Sequence, residues 1–77
     1  MSDYLGKIKK VISEKTGVES SDINPETFIE DDLNIGEMEL IEILEELEEI
    51  FNMELIENSD DFETIQDIID TLEENIQ

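Results

Sequence analysis

The chain has no cysteine, no histidine and no alanine, and only four basic residues among 77. Without cysteine there is no disulfide framework, no thiolate metal site and no thiol nucleophile. Without histidine, nearly every zinc site and every imidazole general base are excluded as well. Four bases stand against 24 acids, for a formal net charge of −20. Such a chain is repelled by a phosphate backbone, which rules out most nucleic-acid binding. No apolar run approaches the ~18 residues of a membrane span. The opening Met-Ser-Asp-Tyr-Leu-Gly-Lys lacks the apolar stretch of a signal peptide. The expectation is one small cytoplasmic domain over residues 1–77, monomeric, without a membrane or nucleic-acid partner.

High acidity raises the question of disorder. Leu, Ile, Val and Phe number 25 of the 77 residues, above the range of disordered chains, and thirteen of them are Ile. Large apolar side chains suit a small core, which must bury much area with few residues. The charge is also unevenly placed. Lys7, Lys9, Lys10 and Lys15 are the only bases, and none follows Lys15. Mutual repulsion over the remainder opposes compaction and is weakened by salt. A charge run of this kind is ordinarily a solvated face. Its density on one helix, described next, also marks a surface for a basic partner.

Tyr4, Leu5, Ile8, Val11 and Ile12 recur at helical spacing and predict a helix over Asp3 to Thr16. Ser2 is expected to cap it, Gly17 to stop it, and Lys15 to sit in its last turn. Val18 to Gly36 reads as a long connection with the turn formers Ser20, Ser21, Asp22, Asn24 and Pro25. It also contains Val18, Ile23, Phe28, Ile29, Leu33 and Ile35, so it is expected to pack down on the core. Glu37 to Asn52 carries the strongest pattern. Leu40, Ile43, Leu44, Leu47, Ile50 and Phe51 form an apolar stripe, which Met38 and Ile41 widen. Glu37, Glu39, Glu42, Glu45, Glu46, Glu48 and Glu49 fill the other face. No base offers an i, i+4 partner, so packing of the apolar face must offset local repulsion. Met53 to Glu63 suggests a loop or a single helical turn anchored by Phe62. Thr64 to Asn75 predicts a final helix capped by Thr64, with Ile65, Ile68, Ile69, Leu72 and Ile76 inward. No strand alternation or internal repeat competes. None of these stripes is buried alone, so the helices must form a small all-α bundle.

Several kinds of site are excluded. Asp31-Asp32-Leu33-Asn34-Ile35-Gly36 invites a calcium-loop reading with Glu42 at its twelfth position. It places Leu33 and Ile35 where oxygen ligands are required. Neighbouring carboxylates should attract divalent ions as screening charge, without a specific metal site. Carboxylate pairs are too abundant, on a face expected to be exposed, to mark acid–base catalysis. No glycine-rich phosphate loop is present. The chain reads as a non-enzyme.

The stretch Phe28-Ile29-Glu30-Asp31-Asp32-Leu33-Asn34-Ile35-Gly36-Glu37-Met38-Glu39 resembles the approach to the second helix in acyl carrier proteins. There the family has Phe, then Glu-Asp-Leu-Gly-(small)-Asp-Ser-Leu-(Asp or Glu). Ile41-Glu42-Ile43, Leu47-Glu48-Glu49 and Phe51 match the family's Val-Glu-Leu, Leu-Glu-Glu and Phe at the same offsets. Val11-Ile12, Gly17-Val18 and Thr64-Ile65-Gln66-Asp67 fit as well. The match runs without gaps to about Leu55, with one residue fewer between Asn58 and Asp61. The resemblance implies a four-helix acyl-carrier-like bundle with a long first loop. It also implies a place in fatty-acid or related acyl metabolism.

The departure lies at the centre, where the family's Asp-Ser-Leu reads Gly36-Glu37-Met38. In the family that Ser accepts 4′-phosphopantetheine through its hydroxyl. A Glu carboxylate does not form the same phosphodiester, so no prosthetic group is expected at Glu37. Ser59, Ser20, Ser21, Ser13 and Thr27 are other hydroxyls, and none lies between an Asp and a Leu at a helix start. Glu37 has two readings: an acid favoured by the helix dipole, or a mimic of the phosphodiester's charge. The resemblance further implies that the second helix docks on basic patches of acyl-transfer, synthase or acyl-activating enzymes. Glu37, Glu39, Glu42, Glu45, Glu48 and Glu49 would supply charge, and Met38, Ile41 and Leu55 apolar contact. The leading expectation is thus a docking domain without the arm. The alternatives are a genuine acyl carrier modified at another hydroxyl and an unrelated acidic interaction domain.

Overall fold

The computed structural model describes residues 3–75. Helix α1 spans Tyr4–Thr16, α2 Glu37–Phe51 and α3 Ile65–Asn75. A short 3₁₀ turn lies at Ser20–Asp22 and a 3₁₀ helix at Ile56–Asp61. The three α-helices and the 3₁₀ helix make the expected all-α, four-helix bundle. The described residues contain no strand beyond an isolated antiparallel bridge between Phe28 and Thr64. No helix among them is long and apolar enough to cross a membrane.

Helix ends follow local chemistry. Asp3, rather than Ser2, caps α1, its carboxylate accepting from the Gly6 N–H at 3.0 Å. Ser2 lies outside the described residues. The capping carboxylate fills the space a Cβ on Gly6 would need, at 2.1 Å from Asp3 Oδ2. Gly17 ends α1 at φ 82°, a conformation costly to other residues, and returns its N–H to the Ser13 carbonyl. Asn52 closes α2 in the same left-handed region, at φ 56°. It is the cap of α2 and not its last helical residue. Thr64 Oγ1 accepts from the Asp67 N–H at 3.3 Å, as expected of a cap. The Asp67 carboxylate accepts in return from the N–H groups of Glu63 and Thr64.

The core draws on all three α-helices. Ile8, Val11 and Ile12 of α1 meet Leu40, Ile43, Leu44 and Leu47 of α2 and the Ile65, Ile68, Ile69 and Leu72 face of α3. Helix α1 packs on both other α-helices, and α2 on the 3₁₀ helix. Each such side chain contributes roughly 1.5–3 kcal/mol on burial. Ile76 lies outside the described residues.

The long connection is packed down. Ile23, Ile29, Leu33 and Ile35 join the core. Its backbone is tied to the start of α3: Ile29 N–H donates to the Glu63 carbonyl, Ile65 N–H to that of Thr27, and Gln66 N–H to that of Pro25. Two apolar residues depart from expectation. Phe28 is 45% exposed. Its neighbours Thr27 and Ile29 are buried, and in extended backbone alternate side chains point to opposite sides. Ile50 is 43% exposed. In that last turn of α2 the Tyr4 ring covers Phe51 instead, with centroids 5.4 Å apart.

Candidate functional site

Helix α2 begins at Gly36, which has extended backbone (φ −82°, ψ 177°) and gives the helix no side-chain cap. Glu37 and Glu39 occupy the first turn. Carboxylates there face the positive end of the helix dipole, a stabilisation of roughly 0.3–1 kcal/mol each. Both side chains are exposed.

The outer face of α2 carries a continuous stripe. Met38, Glu42, Glu45 and Glu49 lie on one side at i, i+4, i+7 and i+11. All four are exposed, Met38 by 78%. Ile41 is half-buried at its edge. The opposite side of the helix is sealed in the core, so α2 has one packed face and one face open to solvent.

Two expected docking residues have other positions. Leu55 is wholly buried and offers no contact surface. It follows the left-handed turn at Asn52, which folds the chain back under α2. Glu48 is half-buried, and its Oε2 accepts from the N–H groups of Leu55 (2.7 Å) and Ile56 (3.0 Å). These two donors, Leu55 foremost, hold its carboxyl below the ordinary value, against a small opposing effect of burial. Glu48 is therefore a latch between α2 and the 3₁₀ helix, occupied within the molecule. Asp67 is likewise held low, chiefly by the Thr64 N–H.

At the N-terminal end of α2, the long connection and the 3₁₀ helix enclose a cavity of about 340 Å³. Buried Ile29, Ile35, Leu40 and Phe62 form its depth, with half-exposed Phe28 beside them. Glu30, Asp31, Glu37, Asp60 and Glu63 line it and are exposed. Ser59 lines it too, whereas Ser13, Ser20, Ser21 and Thr27 do not. Ser13 donates to the Val18 carbonyl, and the buried Thr27 hydroxyl accepts from the Asn24 N–H. Among the described residues no cluster of three or more acidic side chains is arranged to hold a metal ion.

An all-α bundle of this order with a long first loop is the architecture that the resemblance to acyl carrier proteins implies. The comparisons agree. The chain is 31% identical to an acyl carrier protein of Rubrobacter xylanophilus over 74 residues, 95% of this chain and 91% of that protein. It matches no protein-family profile. The chain belongs to the acyl carrier protein family, whose members are not themselves enzymes.

The first residue of α2 is Glu37, an exposed carboxylate with no hydroxyl. The backbone contacts of Glu48 and Asp67 were not anticipated from sequence. Asp67 had a signal, an acid three residues after a Thr cap. Glu48 had none, because its donors come seven and eight residues later, beyond a reversal of the chain.

Proposed function

We propose that this chain is a non-enzymatic acyl-carrier-type docking domain that works without a phosphopantetheine arm at Glu37. It engages basic patches of acyl-transfer, synthase or acyl-activating enzymes through the outer face of α2. The observation that carries the reading is the exposed Met38, Glu42, Glu45 and Glu49 stripe, on a molecule whose only bases lie on α1. Long-range attraction of this kind gives fast association that weakens with salt. Glu37 adds one charge at the helix end where the family carries a phosphodiester. The test is binding to purified carrier-using enzymes at two salt concentrations, with Glu42→Lys, Glu45→Lys and Glu49→Lys combined. Binding that disappears with the triple variant supports the reading; binding indifferent to it and to salt defeats the reading.

One observation favours a second reading, a true carrier modified elsewhere: Ser59 lines the same cavity as Glu37. Intact mass decides, taken on protein from its own host and again after coenzyme A and a promiscuous phosphopantetheinyl transferase. An unchanged mass in both retires the carrier reading. A gain of one arm, lost in Ser59→Ala, establishes it.

A further inference from the structure

The cavity beside Glu37 combines two properties that select its occupant. Its depth is apolar, formed by Ile29, Ile35, Leu40 and Phe62. Its exposed lining is acidic, and no Lys or Arg contributes to it. A carboxylate-headed ligand would add one more negative charge to Glu30, Asp31, Glu37, Asp60 and Glu63. At ~4 Å each like pair costs about 1 kcal/mol even in bulk water, and more beside a low-dielectric wall. A neutral apolar ligand gains nothing from this acidic collar. An apolar group flanked by cations gains from both parts. The backbone leaves room at the mouth, since a Cβ on Gly36 would meet nothing within 4 Å. At about 340 Å³ the space suits one or two large side chains; ligand pockets generally run from ~300 to 1,000 Å³.

We infer that this cavity is a socket for a large apolar side chain of the partner protein, flanked in that partner by Lys or Arg. The inference rests on the docking reading above, because the same partner would meet the α2 stripe. The stripe steers the encounter, and the socket supplies the desolvated anchor that lengthens it. Half-exposed Phe28 borders the socket and offers the inserted side chain a further apolar contact. The recognition thus runs inward, a partner residue entering this domain.

The probe is a basic peptide, Lys-Arg-Leu-Phe-Arg-Lys, titrated into methyl-labelled protein and followed by NMR. Binding should shift the methyl signals of Ile29, Ile35 and Leu40. Replacing Leu-Phe by Ser-Ser in the peptide should weaken affinity about tenfold or more, the scale of a buried anchor. Gly36→Leu and, separately, Ser59→Leu narrow the cavity from two walls and should do the same. Their circular dichroism melts establish that each remains folded. Equal affinity for the Ser-Ser peptide, or failure of the Leu-Phe peptide to move the cavity methyls, overturns the socket. The enzyme-binding test with the α2 triple variant stands apart from that outcome and judges the docking reading by itself. Cavity shifts from decanoate stronger than those from the peptide also overturn the inference, by showing an acyl pocket indifferent to its acidic collar.

Discussion

Glu48 shows how one side chain can look like surface and serve as structure. In sequence it is one of seven glutamates on an amphipathic helix. In the fold its carboxylate gathers two backbone N–H groups that would otherwise be without an acceptor where the chain reverses. Glu48→Ala should therefore lower stability by about 1–2 kcal/mol in chemical denaturation, since charged-acceptor hydrogen bonds are lost and their donors are left exposed to imperfect solvation. The pH dependence follows from the lowered carboxyl. A folded-state value below the unfolded one stabilises above the unfolded value and ceases to do so as pH falls through the folded value. The stability difference between wild type and Glu48→Ala should thus be full above the ordinary value of 4.5 and close at lower pH. A difference unchanged down to pH 2 would contradict the latch. Gly17 is the opposite case, legible at once from the end of a helical pattern. At φ 82° it admits other residues only with strain, and Gly17→Ala should cost about 1 kcal/mol.

Helix α2 reconciles two demands along one stretch of chain. Its inner side positions were readable from periodicity: Leu40, Ile43, Leu44 and Leu47 are all buried. Leu44→Ala should cost roughly 2–5 kcal/mol, as for other fully enclosed leucines. Met38→Ala, at an exposed position, should leave the melting temperature nearly unchanged while weakening partner binding. The outer side permits a sharper experiment. Glu45 has Glu42 three residues before it and Glu48 and Glu49 three and four residues after, so Glu45→Lys exchanges repulsion for attraction and should stabilise the isolated domain by a few tenths of a kcal/mol. The same change should weaken docking on a basic surface. A variant that melts later and binds less well separates function from folding, and one that binds equally well removes Glu45 from the interface. The positions that escaped the pattern have local causes. Ile50 fits the stripe's spacing, but the ring of Tyr4 lies on Phe51 beside it. Phe28 is apolar yet turns outward because Thr27 and Ile29 turn in. The cavity itself was not legible, since its walls come from three segments whose approach no single stretch of sequence encodes.

For the molecule as a whole, charge acts in opposite directions on folding and on binding. Self-repulsion among the acids works against the compact state, and salt screens it, with a Debye length of about 8 Å at physiological ionic strength. The melting temperature should therefore rise from low salt to 0.3 M sodium chloride, while affinity for a basic partner falls over the same range. A melting temperature indifferent to salt would show that the acids are too well separated in the fold to oppose it. The distribution of charge matters as much as its sum. All four lysines belong to α1, and Lys15 reaches Glu46 of α2 at 3.6 Å across the α1–α2 contact. The stripe at Met38, Glu42, Glu45 and Glu49 lies on the exposed side of α2. The domain is consequently a strong anion whose positive charge is confined to one helix. In the field of a positively charged enzyme it would experience a torque before any atoms touch, turning α1 outward. Orientation, usually found by repeated collision, would then be largely settled during the approach.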